Sequence, residues 1–220
     1  MIPIKFIKKI NYLWSDENKR FWWGDPLDVR FYLSYVLSKL RNKQVLDVAC
    51  NTGIVSSQMK TCNVVGVDLN SGALSLAKVL NPDSKFYVQD IFTLNKKFRK
   101  ESFDVIILSH ILPKDNFASD RFPEELLDVV IPLLKKKGFL YLTTPNPARA
   151  FNGKNKFITD VYLKHLLNRY NLKYTIQYWC KWNIHFNHFF KFFPFIWVIL
   201  EKLSKKKGRS VSFYVEAIKK

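Results

Sequence analysis

Three aspartates stand where a ligand could use them. Asp47 lies in the apolar run Val45-Leu46-Asp47-Val48, Asp68 closes Val64-Val65-Gly66-Val67-Asp68, and Asp90 closes Phe86-Tyr87-Val88-Gln89-Asp90. An ionised carboxylate accepts but cannot donate, so it suits a pair of vicinal ribose hydroxyls. Between the first two acids, Ala49-Cys50-Asn51-Thr52-Gly53 is a run of small residues leading into a helix-like stretch. Small residues at a strand-to-helix turn let backbone approach a ligand, and the free N–H groups there can meet it. A methyl at Ala49 leaves the turn open if its φ is negative, whereas Asn51 has to tolerate a left-handed φ. His110, just beyond Phe103–Ser109, is the best-placed general base, since imidazole titrates near neutrality. A histidine there serves equally well as a cap on the strand end.

The elements that position these residues alternate. The pattern predicts strands at Gln44–Ala49, Asn63–Asp68, Lys85–Asp90, Phe103–Ser109 and Gly138–Thr144. Helices are expected over Gly53–Lys60, Ser71–Leu80 (with a Ser cap) and Glu124–Lys135. Near-continuous apolar strands alternating with helices imply a parallel sheet covered on both faces. Ligands of such sheets bind outside the carboxyl ends of the strands, where the three acids would converge. Downstream, Asp160–Tyr170 reads as a helix, with Tyr174–Trp182 and Ser210–Ile218 as closing strands. Upstream, Ile4, Ile7, Ile10 and Leu13 recur at helical spacing, and Pro26 suits the start of a second helix running to about Arg41.

The run Val45–Gly53 resembles motif I of class I S-adenosylmethionine-dependent methyltransferases. Asp68 falls where that family has its ribose-binding acid, Asp90 matches its adenine-side acid, and Phe103–His110 and Leu133–Thr144 resemble its fourth and fifth strand motifs. The resemblance covers roughly residues 40 to 145 in order, and the set is far more specific than any one motif. It implies a Rossmann-like α/β fold with a mostly parallel seven-stranded sheet whose last strand is antiparallel. It implies S-adenosylmethionine as cofactor, with backbone around Ala49, Asn51 and Gly53 at its methionyl part and Asp47 at its amino group. Asp68 would take the ribose, Asp90 and Ile91 the adenine, and Leu69 and Ser109 complete the cofactor-binding set. Ala49 and Asn51 stand where the family most often has glycine.

A dinucleotide site is disfavoured. It needs GxGxxG so that a pyrophosphate can lie against the helix start, and here only Gly53 is glycine. The chain also lacks the Asn/Asp-Pro-Pro-aromatic pattern of many methyltransferases acting on exocyclic amines after the fourth strand. Pro145-Asn146-Pro147 after the fifth strand resembles small-molecule and lipid-directed members instead.

The formal charge of +18 is unevenly spread. Lys and Arg against Asp and Glu number 9 against 4 in residues 1–44, 13 against 11 in 45–150, and 14 against 3 in 151–220. A near-neutral core with basic flanks suits contact with something anionic, phospholipid or nucleic acid, unless the lysines are merely solvated. In residues 185–209, Phe186, Phe189, Phe190, Phe192, Phe193 and Trp197 precede Lys202, Lys205, Lys206, Lys207 and Arg209. Aromatics with a cationic edge match an in-plane anchor on an anionic membrane, though packing over the sheet or against a second subunit would also use them. The apolar stretch Phe186–Leu200, interrupted by Lys191 and Pro194, falls short of the ~20 residues needed to span a bilayer.

We therefore expect a single domain over 1–220, with a helical lid at 1–43, a cofactor core at 44–147 and an acceptor side at 148–220. Methyl transfer goes to a small-molecule or lipid-like acceptor. RNA methylation through the basic flanks, and a fold retained without catalysis, are the alternatives, with nucleic acid ranked behind membrane. Cys50, Cys62 and Cys180 form no CxxC or metal-ligand spacing, so no metal site is expected. Reduced thiols and the absence of an evident leader suit a cytoplasmic chain, peripheral at a membrane.

Overall fold

The computed structural model describes residues 29–112, 121–145, 159–179 and 212–220. The expected helix at 4–14, the start of the second helix at Pro26 and the aromatic segment 185–209 lie outside the described residues.

Seven strands form one sheet. They are β1 (Gln44–Val48), β2 (Asn63–Asp68), β3 (Lys85–Val88), β4 (Phe103–Ser109), β5 (Leu134–Pro145), β6 (Leu172–Trp179) and β7 (Ser212–Lys219). Their order is β3-β2-β1-β4-β5-β7-β6. All pairs from β3 to β5 are parallel, and β7 runs antiparallel to both β5 and β6. The strand order reverses between β1 and β4, and such a switch point opens a crevice at the carboxyl ends.

Side-chain alternation explains why the strands read as continuous apolar runs. Leu46, Val48, Ile106, Leu108, Leu140 and Leu142 face one layer, while Val45, Val105, Ile107 and Tyr141 face the other. The first face is covered by α4 (Phe122–Val130) and α5 (Asp160–Arg169) through Leu126, Leu127, Leu163 and Leu167. The second is covered by α1 (Val29–Leu37), the 54–59 segment and, under β2, α2 (Ser71–Leu80). A fully buried leucine contributes about 2 kcal/mol, so each helix is held mainly by its apolar stripe.

Several boundaries differ from the sequence pattern for identifiable reasons. The expected helix over 53–60 is a single 3-10 turn, Ser56–Gln58. Only nine residues separate Gly53 from β2, and they must return the length of β1, about 17 Å. Nine residues of α-helix would rise about 13 Å, so the connection is drawn out instead. The helix expected to reach Lys135 ends at Val130, where a 3-10 turn carrying Pro132 leads straight into β5. That strand starts at Leu134, with an irregularity in its register against β4 before Phe139. Asn70, not Ser71, caps α2, its Oδ1 accepting from the Ala73 amide at 3.0 Å. A one-turn helix, α3 (Leu94–Lys97), was not signalled by periodicity.

Candidate active site

β1 alternates Val45, Asp47 onto the face packed by the 54–59 segment, so a carboxyl enters an apolar layer. Asp47 is 1 % exposed, and the Ser56 hydroxyl donates to its Oδ2 at 2.5 Å. Burial pushes its pKa up to about 7; the Ser56 bond opposes that and the nearby Asp68 charge adds to it. A cation placed beside Asp47 would restore its ionised form.

The turn after β1 is held in a strained shape. Ala49 (φ +54°), Asn51 (+50°) and Gly53 (+69°) all adopt the left-handed region. The left-handed φ expected of Asn51 is present, but Ala49 does not keep the negative φ that an open turn was expected to need. Three bonds fix this path. The Cys50 amide donates to Val67 O at 3.0 Å, the Gly53 amide to Cys50 O at 2.9 Å, and the Asn51 amide to Asp68 Oδ2 at 2.9 Å. The other Asp68 oxygen accepts from the Asn70 amide at 2.9 Å.

Gly53 has no room for a side chain, since a Cβ there would lie 2.9 Å from Ala77 Cβ and from Asn81 Nδ2. Asn81 in turn donates to Gly53 O at 3.1 Å. Gly66 matters equally: a Cβ there would come within 2.5 Å of the Phe86 ring and 2.8 Å of Cys50 Sγ. Burial and the two flanking carboxylates push the Cys50 thiol up, which makes it a packing group and no nucleophile.

Asp47, Ala49, Cys50, Asn51, Thr52, Ile54, Val55 and Ser109 line one narrow cleft at the carboxyl ends of β1 and β4. Of the residues singled out in the sequence, Asp47, Ala49, Asn51 and Ser109 therefore meet there. Asp68 joins them through the Asn51 amide. Leu69 is 69 % exposed beside it. Asp90 follows β3, where its Oδ1 accepts from the Phe92 amide at 2.9 Å, and Ile91 is half-buried against the core. Both stand at the same end of the sheet but do not line the narrow cleft.

His110 follows β4 with φ +56°. Its amide donates to Thr143 O at 2.8 Å and its Nδ1 lies 2.9 Å from Thr143 Oγ1. The same hydroxyl lies 3.3 Å from Ser109 Oγ, so Thr143 orients the two residues at the end of β4. Ser56, Gly66, Asn81 and Thr143 were missed from sequence. A hydroxyl at a strand end or a glycine inside a strand carries no signal until its neighbour across the fold is known.

No group of His, Cys, Asp and Glu among the described residues could hold a metal ion, and no described helix is long and apolar enough to cross a membrane. The site suits a nucleoside sulfonium. It offers a buried carboxyl for a cation and an exposed-end acid for a diol, beside a tight turn with no cradle for a pyrophosphate.

Comparison with known proteins agrees with this fold. A family model described as a methyltransferase domain matches residues 39–192. The uncharacterized protein MJ1233 of Methanocaldococcus jannaschii is 28 % identical over 125 residues, covering 52 % of this chain and 42 % of that protein. The chain thus matches less than half the length of that relative. A SAM dependent methyltransferase from Archaeoglobus fulgidus superposes with a TM-score of 0.65 at 18 % identity, covering 94 % of this chain and 99 % of that one. The plantazolicin methyltransferase BamL, solved with a triazolic desmethylPZN analog and SAH, gives 0.59 at 16 % identity, covering 99 % and 91 %. At such identities the two structures establish likeness of fold.

Proposed function

The chain belongs to the methyltransferase domain family, and from that premise we propose that it transfers the methyl group of S-adenosylmethionine to a small or lipid-like acceptor at an anionic membrane surface. The observation that carries the cofactor reading is the placement of a buried Asp47, held by Ser56, and of Asp68, held by the Asn51 amide, at the left-handed turn 49–53. S-adenosylmethionine supplies a methyl already activated on a sulfonium. The chain's own residues hold the donor, align the acceptor in line and exclude water.

Asp47 receives the amino group of the methionyl part, and its raised pKa returns to the ordinary carboxylate range on pairing. Asp68 takes the ribose hydroxyls with its remaining lone pairs. Ser109 borders the methionyl part in the cleft, and Asp90 and Ile91, outside the narrow cleft at the same end of the sheet, take the adenine. For a hydroxyl acceptor His110 is the base, its Nδ1 fixed by Thr143. An amine acceptor needs no base there.

The acceptor class rests on the aromatic and basic residues of 185–209 and on the absence of a nucleic-acid methylation motif after β4. β6 ends at Trp179 and β7 begins at Ser212, paired with each other at the cleft end of the sheet. The described strands on either side of this segment therefore end and begin at the carboxyl end of the sheet, the end that carries the cleft. Incubating native cell extract with the chain and methyl-labelled cofactor, then separating lipid, RNA, protein and small molecules, tests the reading. Label in the lipid or small-molecule fraction supports it, and label confined to RNA or protein refutes it. Sedimentation with anionic vesicles at low salt tests the membrane part, and no binding would remove it.

A further inference from the structure

The near-neutral charge of the core conceals a separation along the strand axis. Asp47, Asp68, Asp90, Glu124 and Glu125 lie toward the cleft end. The opposite end gathers Lys43 before β1, the Lys96–Lys100 segment before β4, Lys135–Lys137 at the start of β5, and Lys219 and Lys220, which the antiparallel β7 delivers there. Hydrogen bonds confirm that these segments meet. The Glu101 and Ser102 amides donate to Pro132 O and Leu133 O, and Lys219 Nζ donates to Leu134 O at 2.5 Å.

Acids at this end are few and partly used. Asp104 pairs with Lys135 at 2.9 Å and Glu101 with Lys219 at 3.6 Å. Lys96, Arg99, Lys100, Lys136 and Lys137 are exposed and make no ion pair among the described residues. A surface cleft lies among them, between the 95–100 segment and Asp128, Pro132 and Leu133 at the end of α4.

We propose that this basic end of the sheet is a docking surface for nucleic acid, gripped through its phosphate backbone. Strands about 4.8 Å apart carry these cations from β1 through β4 and β5 to β7, a row about 14 Å long that an extended polyanion can follow. A bilayer fits less well. The exposed apolar side chains Leu69, Val88, Phe92 and Val161 belong to the cleft end, and Leu76 and Val79 lie on α2 over β2 and β3, which leaves the basic edge from β1 to β7 without an apolar wedge. A membrane at the cleft end would also be more than about 17 Å away, beyond a Debye length of about 8 Å at physiological salt. The proposal is independent of the acceptor assigned above.

The test uses the whole chain and a fluorescein-labelled 20-nucleotide RNA, followed by anisotropy between 50 and 200 mM KCl. The combined substitution Lys96→Glu, Arg99→Glu, Lys136→Glu and Lys137→Glu is expected to weaken binding at least tenfold. It should also flatten the log–log salt slope by about 3, at about 0.7 per lost phosphate contact. S-adenosylhomocysteine binding stays unchanged, because none of these residues lies at the cleft. Charge reversal at Lys202, Lys205, Lys206 and Lys207 should leave RNA affinity within about threefold. Equal RNA binding by the first variant, or loss only in the second, overturns the proposal. So does binding to phosphatidylserine vesicles that depends on the same residues when RNA binding does not. Should the variant fail to fold, amine acetylation of the unmodified chain decides: RNA should shield Lys96, Lys136 and Lys137, and unaltered labelling overturns the proposal.

Discussion

The backbone amide of Asn51 donates to Oδ2 of Asp68 at 2.9 Å, which makes the turn after β1 and the acid after β2 one unit. The bond aligns an acid on one strand end with a left-handed residue on the next. It compensates part of the strain at Asn51, because a charge-assisted bond to a carboxylate is stronger than a neutral one. Loss of the acid therefore has two effects, on the ligand directly and on the turn that receives it.

Ala49 is the strained member of that turn. A left-handed alanine costs about 1 kcal/mol, whereas glycine adopts the same φ freely. Ala49→Gly should raise stability by up to about 1 kcal/mol, and the β-branched Ala49→Val should lower it by about 1–3 kcal/mol. Urea unfolding midpoints check both.

Asp47 predicts a pH dependence with a definite sign. Its pKa in the fold is about 7 because burial disfavours the charge, so the folded chain keeps a proton that the unfolded chain has already lost. Stability from this group is fully present below about pH 4, falls as pH rises to about 7, and then levels off. The span of about 3 units corresponds to about 4 kcal/mol. Asp47→Asn, which stands in for the protonated acid, should be near neutral at pH 4 and stabilising at pH 8, measured without cofactor by denaturant titration.

Gly66 is required for space. A Cβ there would lie 2.5 Å from Phe86 ring carbons and 2.8 Å from Cys50 Sγ, directly beneath the turn. Gly66→Ala should cost about 1–3 kcal/mol by overpacking and weaken cofactor binding in parallel. Thermal melts with and without S-adenosylhomocysteine report the two effects.

Much of this was legible in the sequence because it is local. Apolar runs at Asn63–Asp68 and Phe103–Ser109 located two strands to the residue, and an acid closing β2 could be read directly. What escaped depends on partners distant in the chain. The burial of Asp47 and its bond from Ser56 cannot be read until the fold surrounds it, and Gly66 is unremarkable until Phe86 packs over it. Ala49 was misjudged for a similar reason. Its φ is set by the Cys50–Val67 and Asn51–Asp68 bonds between strands, against the local preference of alanine. The near-neutral charge of residues 45–150 likewise reveals nothing until strand direction sorts acids and bases to opposite ends.

Thr143 and His110 act together if the acceptor is a hydroxyl. His110→Ala should then lower kcat about 100-fold, and Thr143→Val should lower it about tenfold with KM unchanged. With an amine acceptor neither substitution should change kcat by more than about threefold. Steady-state rates across pH 5–9 separate these outcomes, and a His110→Ala chain fully active toward a hydroxyl at every pH removes the residue from the chemistry.

The most direct measurement is calorimetric titration of S-adenosylhomocysteine into the whole chain and into Asp68→Ala, with folding of both checked by circular dichroism. The account predicts one site per chain, weakened by about 100-fold in Asp68→Ala, as loss of a charged hydrogen-bond acceptor costs up to about 3 kcal/mol. A folded chain that takes up no ligand, or an Asp68→Ala chain that binds as tightly as the unmodified protein, would contradict it.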